Sequence, residues 1–263
     1  MEYDLALLKK IIIDAAREEL LPRFADVQRE LKADGSFVTE ADLAVQARII
    51  KALEKHYPDT VLLGEEMTRE EQSSLLHESH ALWCLDPLDG TSNFAAGIPY
   101  YSVSLGLIED GQPRFGIVYD PNRDECFVGV NGKGAFLNDV PLRTRKIDLP
   151  MAKCTALVDY KRLPATLASN LVTLRPFASQ RSFGSVALDW CWLAASRFHL
   201  YLHGRSNIWD YMSGHLVFSE AGGFSSTLEG EPVYINELVP RSSVGALDRK
   251  HFDEWYQWLI EHG

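Results

Sequence analysis

Five acidic positions stand where an active site could be built. Glu65 and Glu66 directly follow a short apolar run, Thr60 to Leu63, and Gly64. Asp86 directly follows a second run, Ala81 to Leu85, and Asp89 comes three residues later across Pro87. Asp210 follows a polar loop and opens a helical segment. Acids at strand ends and helix starts sit on fixed backbone, the usual support for catalytic and binding groups. Taken singly, each reads first as an ordinary helix cap or turn residue, which explains most acids in such places. Taken together they imply a cation. Two carboxylates about 4 Å apart repel by roughly 1 kcal/mol in water and about 4 kcal/mol near a protein surface. A cleft lined by several therefore needs protons or metal ions. Oxygen ligands without a nearby His or Cys favour Mg²⁺ or Mn²⁺ over Zn²⁺.

Gly90-Thr91-Ser92 supplies a complementary feature. A helix starting after Gly90 would aim free N–H groups and a positive dipole end at an anion, with glycine permitting close approach of a phosphate. Thr91 offers a hydroxyl to orient a water; the alternative is a plain turn into a helix. Other motifs are weaker. Asn131-Gly132-Lys133-Gly134 lacks P-loop spacing and reads as a hairpin turn. His77-Glu78-Ser79-His80 lacks HExxH spacing and is expected on a polar connection. No GxSxG elbow occurs.

The elements that must position these residues are legible in outline. Leu5, Leu8, Ile12 and Ala15 recur at helical spacing, with Pro22 near the end of the pattern. Val45, Ile49 and Leu53 mark a second helix, opened by the capping signature Thr39-Glu40-Ala41-Asp42. Lys32 to Ser36 reads as a polar loop between them. Tyr101 to Ile108 and Phe115 to Tyr119 predict an antiparallel pair turning at Glu109-Asp110-Gly111, and Glu125 to Val130 with Gly134 to Leu137 continue the sheet. Val186 to Phe198 is expected as an apolar helix and His199 to Leu202 as a short strand. A helix from near Trp209 to Ala221 should stop at Gly222-Gly223. His251 to Ile260 closes the chain as an amphipathic helix. The expected organisation is an α+β part over residues 1–140 carrying most of the acids and an α/β part over 141–263 carrying Asp210.

Composition bounds the function. The 263 residues are 46% hydrophobic and 24% charged, a globular balance that excludes disorder. Asp plus Glu total 37 against 26 Lys plus Arg, a net charge of −11, so nucleic acid is not an expected partner. No run approaches the roughly 20 apolar residues of a membrane span, and the first residues do not resemble a signal peptide. Cys84, Cys126, Cys154 and Cys191 are far apart and read as buried free thiols of a reducing compartment. A cytoplasmic enzyme is expected.

Asp86-Pro87-Leu88-Asp89-Gly90-Thr91-Ser92-Asn93-Phe94 resembles the metal-binding signature of the inositol monophosphatase family. Trp209-Asp210 leading to Glu220-Ala221-Gly222-Gly223 resembles the family's second signature. Gly64-Glu65-Glu66 and Val38-Thr39-Glu40-Ala41-Asp42 are similar to its upstream motifs, and Gly134 to Asn138 to its mid-chain hairpin. The order holds from about residue 5 to 225. The resemblance implies a five-layered α/β/α/β/α sandwich, usually dimeric, that hydrolyses phosphate monoesters with Mg²⁺ and is often inhibited by Li⁺. Carried over by residue, Glu65, Asp86 and the Leu88 carbonyl would bind one metal, and Asp86, Asp89 and Asp210 a second. Glu65 would touch a third ion through water. Gly90 and Thr91 would hold the phosphate, Thr91 with Asp42 would orient the attacking water, and the Lys32 loop would close near the metals. Gly184 and Ser185 would line the substrate pocket together with Asp89 and Asp210. His203 takes the place of a glutamate that in several inositol phosphatases accepts hydrogen bonds from substrate hydroxyls; a merely structural histidine is the alternative there. A small polyol or sugar phosphate is therefore the expected substrate, inositol monophosphate first, with a homodimer as the expected assembly. Fructose-1,6-bisphosphatase, histidinol-phosphate phosphatase and 3′-phosphoadenosine nucleotidase share the same core, but Ser92-Asn93-Phe94 leans towards inositol-type members. An aspartyl-phosphate mechanism of the haloacid dehalogenase type fits less well, because Asp86 and Asp89 are one residue too far apart. A non-catalytic metal or phosphometabolite binder is the alternative from a different functional class.

Overall fold

A glycine row decides how the central layers meet. In the computed structural model, which describes residues 3–24, 30–31, 37–65 and 67–263, Gly106, Gly116 and Gly129 face one another across three adjacent strands. Cys84 and Ala135 extend the row on either side. A helix lies directly on this furrow: a Cβ at Gly116 would sit 2.6 Å from Ser213 Cα, and one at Gly129 2.7 Å from the Val217 nitrogen. That helix carries Asp210 at its start.

Helix α1 (Leu5–Ala15) is capped by Asp4, which accepts from the Ala6 and Leu7 N–H groups. It runs on through a π turn and a 3₁₀ turn to Arg23, with Pro22 in the last. A two-residue antiparallel pair, β1 (Glu30–Leu31) and β2 (Phe37–Val38), precedes α2 (Glu40–His56). The expected loop from Lys32 to Ser36, and Glu66, lie outside the described residues. Strand β3 (Val61–Gly64), α3 (Arg69–Glu78), β4 (Ala81–Asp89) and α4 (Thr91–Ala96) follow. Then come β5 (Ser102–Glu109), β6 (Gln112–Asp120), β7 (Glu125–Val130), β8 (Gly134–Leu137) and β9 (Val140–Leu142). Strands β3 to β9 form one sheet in sequence order, antiparallel except for the β3–β4 pair. The second half adds β10 (Thr155–Asp159), α5 (Ala165–Leu174), β11 (Ser179–Arg181), α6 (Val186–Ala194) and β12 (Leu200–Ser206). It ends with α7 (Ile208–Glu220), β13 (Phe224–Ser226), β14 (Arg241–Ala246) and α8 (Arg249–His262). Its sheet has the order β11-β10-β12-β14-β13, with the first three strands parallel.

The layers run α1/α2, seven-stranded sheet, α6/α7, five-stranded sheet, α5/α8, the sandwich expected from the motifs. Strand alternation sorts β4 into two cores: Trp83 and Leu85 pack towards α1 and α2, Leu82 and Cys84 towards α6 and α7. Asp86, two residues beyond Cys84, therefore starts on the α7 side. All four cysteines are free and buried, as their spacing suggested. Among the described residues no helix is long and apolar enough to cross a membrane.

Three expectations need correction. The apolar helix ends at Ala194, not Phe198, because Ser196 turns left-handed (φ 57°) and the Ser196 and Arg197 N–H groups close back on the Leu193 and Trp192 carbonyls. The strand expected over His199 to Leu202 is Leu200–Ser206, held by pairing with β10 and β14. His77 and Glu78 belong to helix α3, not to a connection. Its signal was present as Thr68-x-x-Glu71, a capping box in which the Thr68 N–H donates to Glu71.

Candidate active site

Strand β4 does not end at Leu85. It pairs with β3 only as far as Leu85, opposite Gly64, but continues against β5 to Asp89, with an irregularity between Asp86 and Asp89. Pro87 is tolerated there because one side of the strand has lost its partner. The irregularity re-aims the chain, so the two aspartates leave one strand in different directions. Asp86 keeps one bond, accepting at Oδ1 from the Leu88 N–H at 3.0 Å. Asp89 is turned towards the start of α6, where it accepts from Ser185 Oγ (2.6 Å), Ala187 N (2.7 Å) and Val186 N (3.2 Å). Ser185 itself is fully buried. Gly184 precedes it with φ +84°, beside Asn93. Asn93 Nδ2 donates to the Tyr100 and Phe183 carbonyls, tying the turn after β4 to the entry of α6.

Asp210 occupies the third position of α7 and closes a capping box by accepting from the Asn207 N–H at 2.7 Å. Glu220, at the far end of α7, accepts from the Gly132 and Gly134 N–H groups of the β7–β8 hairpin, fixing the helix lengthwise. Glu65 follows β3, whose last carbonyl, Gly64 O, accepts from the buried Gln72 side chain of α3 at 2.8 Å. Gln72 thus positions the turn that carries Glu65, a role sequence reading missed along with α3.

These placements put like charges within reach of one another. Burial, then Asp89, Glu65, Asp210 and Asp42, hold the Asp86 carboxyl well above the ordinary range. Burial raises Asp89 to about 6, against the opposing pull of its three hydrogen bonds. Burial and the Asp89 charge push Asp210 up to about 8. Among the described residues none of these three forms an ion pair with Lys or Arg, and no three Asp, Glu, His or Cys side chains stand close enough together to grip one ion. The donor chemistry nevertheless fits a hard divalent cation. Among the described residues Asp86 and Asp210 each keep an oxygen that accepts no hydrogen bond, and the Leu88 carbonyl, a further hard oxygen, accepts from the Thr91 hydroxyl. Cys84, behind them, is a buried thiol kept protonated by burial and by the Asp210 and Asp86 charges, so a soft thiolate ligand is absent.

Gly90 takes φ +99° at the entry to α4, where a Cβ would meet the Tyr100 carbonyl at 3.0 Å. Thr91 Oγ1 stands 3.0 Å from the Leu88 carbonyl and 3.3 Å from Asp42 Oδ1. Asp42 is oriented from its other oxygen by the Thr39 N–H and hydroxyl at 2.8 and 2.6 Å, the capping box at the start of α2. A threonine hydroxyl placed between a carbonyl and a carboxylate can donate its one proton to either and still accept from a third group.

A cavity of about 660 Å³ opens at the Glu65 turn and the start of α7, with Glu65, Arg69, Arg162, Arg205, Asn207 and Trp209 among its walls, whereas Asp42, Asp86, Asp89, Thr91 and Asp210 do not line it. His203 is 5% exposed and does not form the wall. Its Nδ1 accepts from the Arg205 N–H (3.3 Å) and its Nε2 lies 3.7 Å from Asp159 Oδ2. Burial lowers its pKa to about 4, which makes it neutral near pH 7. The arginines were not foreseen; their spacing carries no periodic signal.

A sequence model described as the Inositol monophosphatase family matches residues 2–259. The chain is 36% identical over 214 residues to a Nus factor SuhB of Pasteurella multocida, covering 80% of this chain and 79% of that protein. It is 36% identical over 198 residues to inositol monophosphatase 1 of Solanum lycopersicum, covering 73% and 72%. Its fold superposes on the extragenic suppressor protein suhB of Bartonella henselae with a TM-score of 0.84 at 27% identity, over 98% of both chains.

Proposed function

The chain belongs to the inositol monophosphatase family, and on that premise we propose that it is a Mg²⁺-dependent hydrolase of small phosphate monoesters, polyol or sugar phosphates, with inositol monophosphate the first candidate substrate. The observation that carries this reading is the mutual repulsion of Asp86, Asp89 and Asp210, which among the described residues form no ion pair with Lys or Arg, in a chain that also sets the Thr91 hydroxyl against Asp42.

Glu65, Asp86, the Leu88 carbonyl, Asp89 and Asp210 are the residues that would hold two or three Mg²⁺ ions, or Mn²⁺ in their place. Bound there, the metal neutralises charge on the phosphate and leaving oxygen and acidifies a water. The chain's own contribution is orientation. Thr91 and Asp42 take the proton of the attacking water, and Gly90 and Thr91 offer backbone N–H groups to the phosphate. Asp89, held by Ser185 and α6, links the metal side of the site to the substrate side. His203 is assigned to support Asp159 and the β12 backbone behind the pocket, with a direct substrate contact reserved for a side chain that turns outward. A homodimer and Li⁺ inhibition belong to the same proposal.

Release of inorganic phosphate from a panel of monoesters, with Mg²⁺ and then with chelator, tests the reading. D89N and D210N should each lower kcat/KM by at least a hundredfold while circular dichroism shows the fold intact. Near-parental turnover by both variants would defeat the assignment. Tight binding of phosphate esters without turnover by the parent protein would favour the non-catalytic binder.

A further inference from the structure

We propose that Arg162, Arg205 and Arg69 form a subsite for a second anionic group, so that the preferred substrates are phosphate monoesters carrying another phosphate or a carboxylate on the leaving group. The inference rests on the phosphatase reading above and specifies the substrate class for the same cavity. All three side chains line its wall, together with Glu65, and all three are exposed. Among the described residues none of them has an acidic partner, whereas ten other Lys and Arg side chains, Arg48, Arg123 and Arg197 among them, do.

The subsite is held by backbone. Arg162 sits in the turn after β10, and its Nη1 donates to the Arg205 carbonyl at 3.0 Å. That turn lies so close on β12 that a Cβ at Gly204 would come within 2.2 Å of the Arg162 carbonyl. A cavity of about 660 Å³ is far larger than one phosphate needs. A neutral polyol in it would offer these guanidinium groups no counter-charge, while a bis-anion would accept forked hydrogen bonds from them.

The test compares leaving groups on matched skeletons, using the full chain with Mg²⁺: inositol 1,4-bisphosphate against inositol 1-phosphate, and 3-phosphoglycerate against glycerol 3-phosphate. The bis-anion should be preferred at least tenfold in kcat/KM in one or both pairs, chiefly through KM. Preference in the first pair alone identifies a second phosphate; preference in both identifies any anion. The preference should shrink with added salt. R162Q and R205Q should each cut it at least fivefold, with R162K and R205K restoring part of it. Hydrolysis of all four compounds without preference, or a preference that survives both glutamine variants, overturns the subsite and leaves the phosphatase reading standing. Hydrolysis of none overturns both.

Discussion

Replacing Asp210 by asparagine should stabilise the metal-free protein at alkaline pH while removing its response to Mg²⁺. The Asp210 carboxyl is raised from 3.8 to about 8 by burial and by the neighbouring Asp89 charge. A folded-state pKa above the unfolded one means that the folded protein holds a proton that the unfolded chain has lost, so stability falls as pH rises from about 4 to about 8. Taken whole, that rise corresponds to about 6 kcal/mol. Burial is the largest cause and the remaining repulsion is shared with Asp89 and Glu65, so removing this one charge is assigned roughly half of the rise. The same carboxylate caps α7 through the Asn207 N–H, and a neutral amide forfeits about 1 kcal/mol there. A net gain of about 2 kcal/mol at pH 8 remains, which for a chain of this length is roughly 4 °C in Tm. Near pH 4 the gain should vanish. Thermal melts of parent and D210N at pH 8 and pH 4.5, in chelator, measure this directly. Mg²⁺ at about a hundred times its Kd should then raise the parent by about 2.7 kcal/mol and the variant by far less. A Tm gap that is absent or negative at pH 8, or the same at both pH values, would refute the electrostatic argument.

Other perturbations probe the scaffold. G116A and G129A place a methyl group 2.6–2.7 Å from the α7 backbone, so each should cost about 3 kcal/mol or more in urea melts. S185A removes the shortest of the three bonds to Asp89 and, at roughly 1.5–3 kcal/mol for a bond to a charged group, should lower kcat/KM by about ten- to a hundredfold with the fold retained. His203 and His215, the latter bonded to Ser225 Oγ at 2.9 Å, both have pKa values lowered to about 4 by burial. Their contribution is complete above about pH 6.5 and is lost as pH falls towards 4, by up to about 3 kcal/mol each. H215N should flatten the acid limb of a Tm–pH profile, and an unchanged limb would count against that attribution.

The sequence alone pointed to the candidate residues for chemistry and to the type of element bearing most of them. Ordered motifs with turn and cap residues are local signals: Thr39 and Asp42 bond within four residues, and Gly222-Gly223 stops α7 where its spacing says it should. Other features depended on contacts between remote segments. Continuation of β4 through Pro87 to Asp89 required β5 beside it. The early end of α6 came from a serine in a conformation usually left to glycine. Helix α3 was hidden because only one narrow face of it is buried, although Gln72 on that face fixes the turn before Glu65. The approach of Asp210 to Asp86 was decided by three glycines, far apart in the chain, falling into register across β5, β6 and β7. A single glycine in a strand pattern says nothing about its neighbours. Strand register makes a furrow of them, and that register is set by the pairing and packing of the whole sheet.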